Sequence, residues 1–438
     1  MTELLALLQE REVGTVRQQR GRLGFVYADT WRSAPGAYPL SLSMPLSAAE
    51  HSHAAIDSYL WGLLPDNDVV LERWGQRFHV SPRSAFALLA HVGEDCAGAV
   101  QFIRPERSHG VIGSRSGSVD WLTEADVARR LRVLQADASA GRAPHDSGQF
   151  SLAGAQAKTA LLFDGQRWGV PSGRQPTTHI LKPSTGGFDG HAENEHLCLA
   201  LARALGMPTA RSEIHRFEDV TAIVVERYDR VRIPEFPERA HIHRVHQEDL
   251  CQALGVHPAR KYQNVGGPGP KQIISVLRAN ASGIRRPEDR SAPAAHDEDV
   301  TTFMEALILN WLIGGTDAHA KNYSLLIGGG GLVRLAPLYD IASIFGYTAV
   351  DPEKAKLAMK IGDHYRIRDI TLLQWRKLAA ALRVDGDALV DRARAMAAEL
   401  PDRLADEVGK MRDDGVVHPV IEALAQFLPG RAKRVAGL

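Results

Sequence analysis

Gly314-Gly315-Thr316-Asp317-Ala318-His319-Ala320-Lys321-Asn322-Tyr323, with Leu335-Ala336-Pro337-Leu338-Tyr339-Asp340 following shortly after, decides how this chain is read. A helical run over Val300 to Ile313 meets the two glycines, and glycine just past an apolar periodic segment stops a helix because it takes positive φ without strain. The loop beyond holds Asp317, His319, Lys321 and Asn322. Two short strand-like runs, Ser324 to Ile327 and Leu332 to Leu335, flank a turn of four glycines, Gly328 to Gly331, and the second run delivers Asp340. Phosphoryl transfer from ATP needs a carboxylate beside the attacking hydroxyl, and an amide and a second carboxylate for Mg²⁺. In protein kinases the base Asp precedes the metal-binding Asn by five residues; Asp317 precedes Asn322 by five. Mg²⁺ is hard and octahedral, so amide and carboxylate oxygens suit it and thiolates do not. Asp and Asn after Gly-Gly are also ordinary turn residues, so the weight falls on the rest of the chain.

At 438 residues the chain is long enough for two or three domains. Its 44% hydrophobic and 24% charged content is that of a globular protein. Lys+Arg and Asp+Glu are both 52, which argues against autonomous non-specific nucleic-acid binding. Cys96, Cys198 and Cys251 are few, odd in number and far apart, as in a reducing compartment. Met1 to Arg11 reads as a short amphipathic piece without a signal-peptide pattern, and no apolar run is long enough for a membrane span. The expectation is a cytoplasmic protein with no membrane partner.

Residues 1 to about 110 alternate in the β manner at Val13 to Val16, Leu23 to Tyr27 and Tyr38 to Leu42. Helical runs follow over His53 to Leu64, Asp68 to Phe78 and Ser84 to Leu89, and Gly98 to Ile103 reads as a closing strand. His51 and His53 read as loop residues, since no third ligand is near. Arg104 to Gly117 reads as a linker, and Thr123 to Asp137 as a helix capped by Thr123 with Asp126 three residues on. After a polar connection at Ala143 to Ser147, the small residues of Ser151-Leu152-Ala153-Gly154-Ala155-Gln156-Ala157-Lys158 would let backbone N–H groups approach an anion. The flanks, Gln149 to Leu152 and Thr159 to Phe163, read as a hairpin over that loop. A tight hairpin alone would explain the small residues equally well.

Lys182 ends the strand-like run Thr178 to Pro183, and a helix over His191 to Leu205 carries Glu193 and Glu195. Kinases grip the α- and β-phosphates with such a pair. Two residues apart, the glutamates cannot share a face; Glu195 is preferred. Thr221 to Arg230 is a buried-strand run ending in charge, with Glu226 to Tyr228 in the place of an adenine hinge. From Gln247 the pattern turns helical: Gln247 to Leu254, Lys271 to Asn280, Val300 to Ile313, Thr371 to Leu382, Gly386 to Glu399, Pro401 to Met411 and Val417 to Leu428. Ala281 to Asp299 reads as an exposed loop or insertion, and His241, His243 and His246 as solvated rather than metal-binding.

Small-residue loop, strand Lys, helix Glu, hinge, base loop and metal Asp thus come in kinase order. The segments Ser151 to Lys158, Glu226-Arg227-Tyr228-Asp229-Arg230, Gln247 to Gln252, Gly266-Gly267-Pro268-Gly269, Thr316 to Asn322 and Leu335 to Ile341 resemble the HipA family of serine/threonine protein kinase toxins. Pro45-Leu46 and Leu60 to Pro65 resemble its amino-terminal subdomain. The resemblance implies an α+β, two-lobed protein-kinase-like fold, related to phosphatidylinositol kinases, with ATP between the lobes. Its parts would be an extra β-rich amino-terminal subdomain (1–110), a small lobe with phosphate loop and hinge (111–230), and an all-helical large lobe with the catalytic loop (231–438).

By the same resemblance Asp317 is the catalytic base, and Asn322 and Asp340 hold Mg²⁺. Ala153, Gly154, Ala155, Gln156, Lys158, Lys182, Glu226, Tyr228, His319 and Lys321 bind ATP, and Ser151 is the site of inhibitory autophosphorylation. It further implies an aminoacyl-tRNA synthetase as protein substrate, a HipB-like helix-turn-helix antitoxin as partner, and operator DNA reached only through that antitoxin. Ala157 after Gln156 removes any acidic contact at that position. A small-molecule or lipid kinase of the same fold, and a non-catalytic regulatory partner, are the competing readings. No membrane-binding stretch favours the first, and the intact Lys182, Asp317, Asn322 and Asp340 argue against the second.

Overall fold

The computed structural model describes residues 3–108, 117–137, 151–172, 175–185, 188–232, 242–280 and 295–437. Two compact units divide the chain: Met1–Thr185 with Arg216–Ala259 and Leu325–Val333, and Gly186–His215 with Arg260–Ser324 and Arg334–Leu438.

The first unit opens with an antiparallel sheet of β1 (Glu3–Leu8), β2 (Arg11–Gln19), β3 (Arg22–Tyr27), β4 (Glu50–His51) and β5 (Val100–Ile103), in the order β4-β3-β2-β1-β5. The amphipathic start of the chain is therefore an interior strand, paired with β2 on one side and β5 on the other. Leu4, Ala6 and Leu8 enter one core while Leu5 and Leu7 pack with Ile103 on the opposite face, and that period of two belongs to a strand covered on both sides. Tyr38 to Leu42, expected to be a strand, makes only an isolated bridge between Ser41 and Met44. Helices His53–Gly62, Asp68–Phe78 and Ala85–Val92 bury Ile56, Tyr59, Leu71, Trp74, Phe86 and Leu89 in the same core.

A second antiparallel set follows: β6 (Val119–Leu122), β7 (Thr159–Phe163), β8 (Trp168–Pro171) and β9 (His179–Pro183), with Val220–Glu226 paired to β9. Helix Glu124–Ala136, closed by the Thr123/Asp126 capping box, lays Val127, Leu131 and Leu134 on this sheet beside Leu161, Leu181 and Val224. Strand β6 begins just after the expected linker, in a stretch that was assigned no strand. Of the expected hairpin, Ser151 and Leu152 have no strand structure, and β7 pairs with β8 and β9. Gln149 and Phe150 lie outside the described residues, as do Ala143 to Ser147 and most of the Ala281–Asp299 loop.

The second unit is mainly helical: His191–Ala204, Pro270–Asn280, Ala295–Ile313, Leu372–Leu382, Gly386–Asp413 and Pro419–Ala436. Pro401 does not break the run expected to end before it. Met396, Ala397, Leu400 and Leu404 are all buried around it, and their packing offsets the lost N–H bond. Residues 231–438 are not all-helical, contrary to expectation. His246–Asp249 is extended before a one-turn helix Leu250–Ala253, the strands Ser324–Gly328 and Leu332–Leu335 flank the glycine turn, and Lys356–Ile361 pairs with His364–Arg366.

Candidate phosphoryl-transfer site

The helix Ala295–Ile313 stops where the glycines demand. Gly314 has φ +74, and a Cβ there would meet the Phe345 ring at 2.5 Å; a Cβ on Gly315 would lie 1.9 Å from Asn310 Oδ1. Beyond them the loop closes on Asp317. His319 N–H and the Asn322 side-chain amide both donate to the Asp317 backbone carbonyl, at 2.8 and 2.9 Å, and Asn322 N–H donates to the His319 carbonyl at 2.9 Å. Local bonds therefore fix the backbone, while the Asp317 side chain stays 68% exposed. Its Oδ1 accepts the Tyr262 hydroxyl at 2.5 Å and lies 3.9 Å from His319 Nε2. His319, Lys321 and Asn322 are buried, and the Lys321 carbonyl accepts the Tyr339 hydroxyl at 2.7 Å.

Asp340 belongs to the same unit and has φ +58, a left-handed conformation that costs an L-residue roughly 1–2 kcal/mol. Its flanks hold it there. Leu338 N–H donates to the Pro208 carbonyl and Ala210 N–H to the Leu338 carbonyl, both at 2.8 Å. On the other side Ile344 N–H reaches the Gly314 carbonyl at 3.1 Å, the Ser343 hydroxyl bonds the Ile313 carbonyl, and Asn194 brackets the Ser343 backbone at 2.7 and 2.9 Å. The segment carrying Asp340 is thus tied to the glycine stop that launches Asp317. A strained carboxylate held from both sides beside a catalytic-type loop is the kind of outlier that marks function. The Asn322 amide N–H₂ donates to Asp317, which leaves Oδ1 as the acceptor of its side chain. Asn322 Oδ1 and the Asp340 carboxylate are both oxygen donors, the type that suits Mg²⁺. Among the described residues no three His, Cys, Asp or Glu side chains are grouped to hold a metal by themselves.

The remaining expected residues, Glu193 and Glu195 apart, lie in the first unit. Gly154 takes φ +102, bridges to Pro65 and accepts Asp66 N–H at 3.1 Å. Lys158 Nζ donates to the Ala153 carbonyl at 2.7 Å, and a Cβ on Gly154 would meet that ammonium at 2.6 Å. Ala153 and Gln156 are half-buried and Ala155 is exposed. Ser151 has no exposed surface; its hydroxyl donates to the Leu63 carbonyl at 2.7 Å and its N–H to the Asp95 carbonyl at 3.0 Å. Lys182 is buried on β9 opposite Ile223. Glu226 is exposed at its strand end, and the Tyr228 hydroxyl bonds Gln247. Glu193 and Glu195 are both buried on their helix in the second unit.

Two features escaped the sequence reading. Tyr262, bonded to Asp317, lies 55 residues before it, with no local pattern to mark the pairing. The charges ending the Val220–Glu226 strand are not a solvated tail. Arg227, Asp229 and Arg230 are buried with Asp95 and Arg244, Arg230 reaching Asp95 at 2.8 Å and Asp229 at 2.9 Å. Burial pushes the Asp95 carboxyl up, but Arg230, Arg227 and Arg244 together hold it well below the usual carboxylate range. Asp95 also accepts from Thr177 and, through its carbonyl, from Ser151, so the network anchors one end of the small-residue loop.

Residues 150–407 match the HipA-like C-terminal domain family, and residues 4–103 the HipA N-terminal domain family. The chain belongs to the HipA family. It is 35% identical over 431 residues to the putative kinase Y4mE of Sinorhizobium fredii, covering 97% of this chain and 96% of that one. It is 29% identical over 402 residues to the serine/threonine-protein kinase toxin HipA of Shewanella oneidensis, covering 87% and 83%. Among solved structures, the Shewanella oneidensis complex of HipA, HipB and operator DNA matches with a TM-score of 0.81 at 25% identity, over 99% of this chain and 98% of that one. No helix among the described residues is long and apolar enough to cross a membrane.

Proposed function

We propose that this HipA-family chain is an ATP-dependent serine/threonine protein kinase that acts as a toxin on a translation component, an aminoacyl-tRNA synthetase. The observation that carries the reading is the Asp317–Asn322 loop locked to the segment of left-handed Asp340. In this reading Asp317 takes the proton of the acceptor hydroxyl, and Tyr262 and His319 set the direction of its carboxylate. Asn322 and Asp340 would hold Mg²⁺, which would supply positive charge to offset that of the phosphates. Lys182, Lys158, His319, Lys321 and the Ala153–Gln156 backbone bind the phosphates, and Glu226 to Tyr228 the base. The protein is cytoplasmic in this reading; all three cysteines are buried free thiols.

Autophosphorylation at Ser151 is the proposed brake. Its hydroxyl sits on Leu63 without exposed surface, and a phosphate adds close to two negative charges; neither the charge nor the volume fits there, so the modified loop must leave. Neutralisation by a HipB-like antitoxin, which carries the pair to operator DNA, is proposed from the likeness to the Shewanella complex. Incubation of the purified chain with γ-labelled ATP, Mg²⁺ and a cell lysate tests the whole reading. A labelled synthetase supports it, and label on a lipid or metabolite with no labelled protein refutes it.

A further inference from the structure

The hairpin Lys356–Ile361/His364–Arg366 shares a cavity of about 480 Å³ with Tyr262 and Thr316. One of these bonds the Asp317 carboxylate and the other precedes Asp317 in the chain, so the cavity opens beside the candidate base. Its volume lies within the roughly 300–1,000 Å³ of ligand sites. Lys356 and Arg366 are direct cross-strand partners, which places both side chains on one face, where like charges opposite each other work against the pairing. Both line the cavity and both are exposed. The two carboxylates in the same wall are paired elsewhere, Asp363 with Lys377 at 3.3 Å and Asp369 with Arg368 at 3.6 Å. Among the described residues neither Lys356 nor Arg366 has an ion-pair partner. The hairpin therefore presents two positive charges with a local cost that an incoming anion would remove.

We propose that this cavity is the docking subsite of the acceptor polypeptide, and that Lys356 and Arg366 select an anionic side chain, carboxylate or phosphate, close in sequence to the hydroxyl presented to Asp317. The proposal rests on the kinase reading above. ATP itself is assigned there to Lys182, the small-residue loop, Asn322 and Asp340, none of which lines the cavity.

The test uses the full purified chain with Mg²⁺-ATP and three serine peptides of equal length, flanked by neutral residues, by glutamates or by phosphoserine. Fluorescence anisotropy measures binding, and labelled ATP measures KM and kcat. The anionic peptides are expected to bind about tenfold tighter than the neutral one, with KM lower in proportion, for two exposed charge pairs. The ranking of glutamate against phosphoserine identifies the anion. A K356E/R366E double variant is expected to prefer a lysine-flanked peptide instead, a reversal that only a folded protein can show. Equal affinity for neutral and anionic peptides overturns the proposal, and so does anion preference that survives the charge reversal or competition by single-stranded RNA with no discrimination among peptides. Discriminating binding without any phosphate transfer sinks the kinase reading alone, whereas transfer to all three peptides alike sinks only the docking subsite.

Discussion

Asp317 spends its backbone carbonyl on two local donors and leaves its carboxylate to Tyr262 and solvent, an arrangement for a group that must meet a substrate proton. Asp317→Asn is therefore expected to leave the fold intact and lower kcat by about 10²–10⁴-fold, the usual span for a lost general base; unchanged turnover would remove the assignment. Tyr262→Phe keeps the ring against His319, whose centroid is 4.8 Å away, and removes only the hydroxyl. About one net hydrogen bond is lost, so kcat should fall roughly five- to tenfold with little change in KM for ATP. Asp340→Gly is expected to act in opposite senses on stability and activity. It relieves a left-handed L-residue, raising stability by up to about 1 kcal/mol in a denaturant titration, and it abolishes Mg²⁺-dependent transfer. At this scale the sequence was legible where spacing is local, as from Asp317 to Asn322. It was silent where the partner is remote, as with Tyr262, and on the left-handed backbone angle of Asp340, though it marked that residue itself.

Elements were read well where one periodicity dominates. The helices of the second unit and the capping box at Thr123 and Asp126 are examples. They were misread where tertiary context decides. Leu4 to Leu8 carries apolar residues on both faces, so its alternation is hidden unless the sheet is known to be covered twice. The Lys356–Arg366 hairpin passed unnoticed although Gly362, with φ +58, supplies its turn; its strands are short and their charges disguise the period of two. The loop from Ser151 to Lys158 was recognised by its small residues, but Ser151 and Leu152 take no strand structure, and bonds to Leu63, Asp66 and Asp95 hold the loop. Two measurements follow. Ser151→Ala should lose about 1 kcal/mol of stability through the missing bond to Leu63 and carry no phosphate in that peptide by mass spectrometry, whereas phosphorylated wild type should become protease-sensitive across this loop. Gly154→Ala, strained at φ +102 and crowding Lys158, should weaken ATP binding without changing the metal requirement.

Across the whole chain, a net charge of +0 gives no hint that charge is sorted into buried networks. Beside the five-residue Asp95–Arg244 network, burial raises the Glu248 carboxyl from its ordinary 4.5 to about 8, against the Leu42 N–H it accepts at 2.8 Å. A raised carboxyl contributes stability that is complete below about 4.5 and is lost as pH rises through about 8. Burial holds His246 and His179 down at about 4; below 6.5 they oppose this trend, so the clean window is pH 6.5 to 8. There the gain in melting temperature of Glu248→Gln over wild type should grow with pH, at up to about 1.4 kcal/mol per pH unit, and a pH-independent difference would contradict the buried-acid assignment. The family was legible because its motifs are local loops on scattered elements, each readable without coordinates. The most direct measurement for the chain as a whole is transfer of labelled γ-phosphate from Mg²⁺-ATP to protein by wild type and by Asp317→Asn, side by side with equal folding by circular dichroism. The account predicts labelled serine or threonine with wild type and almost none with the variant; equal labelling by both, or none by either, contradicts it.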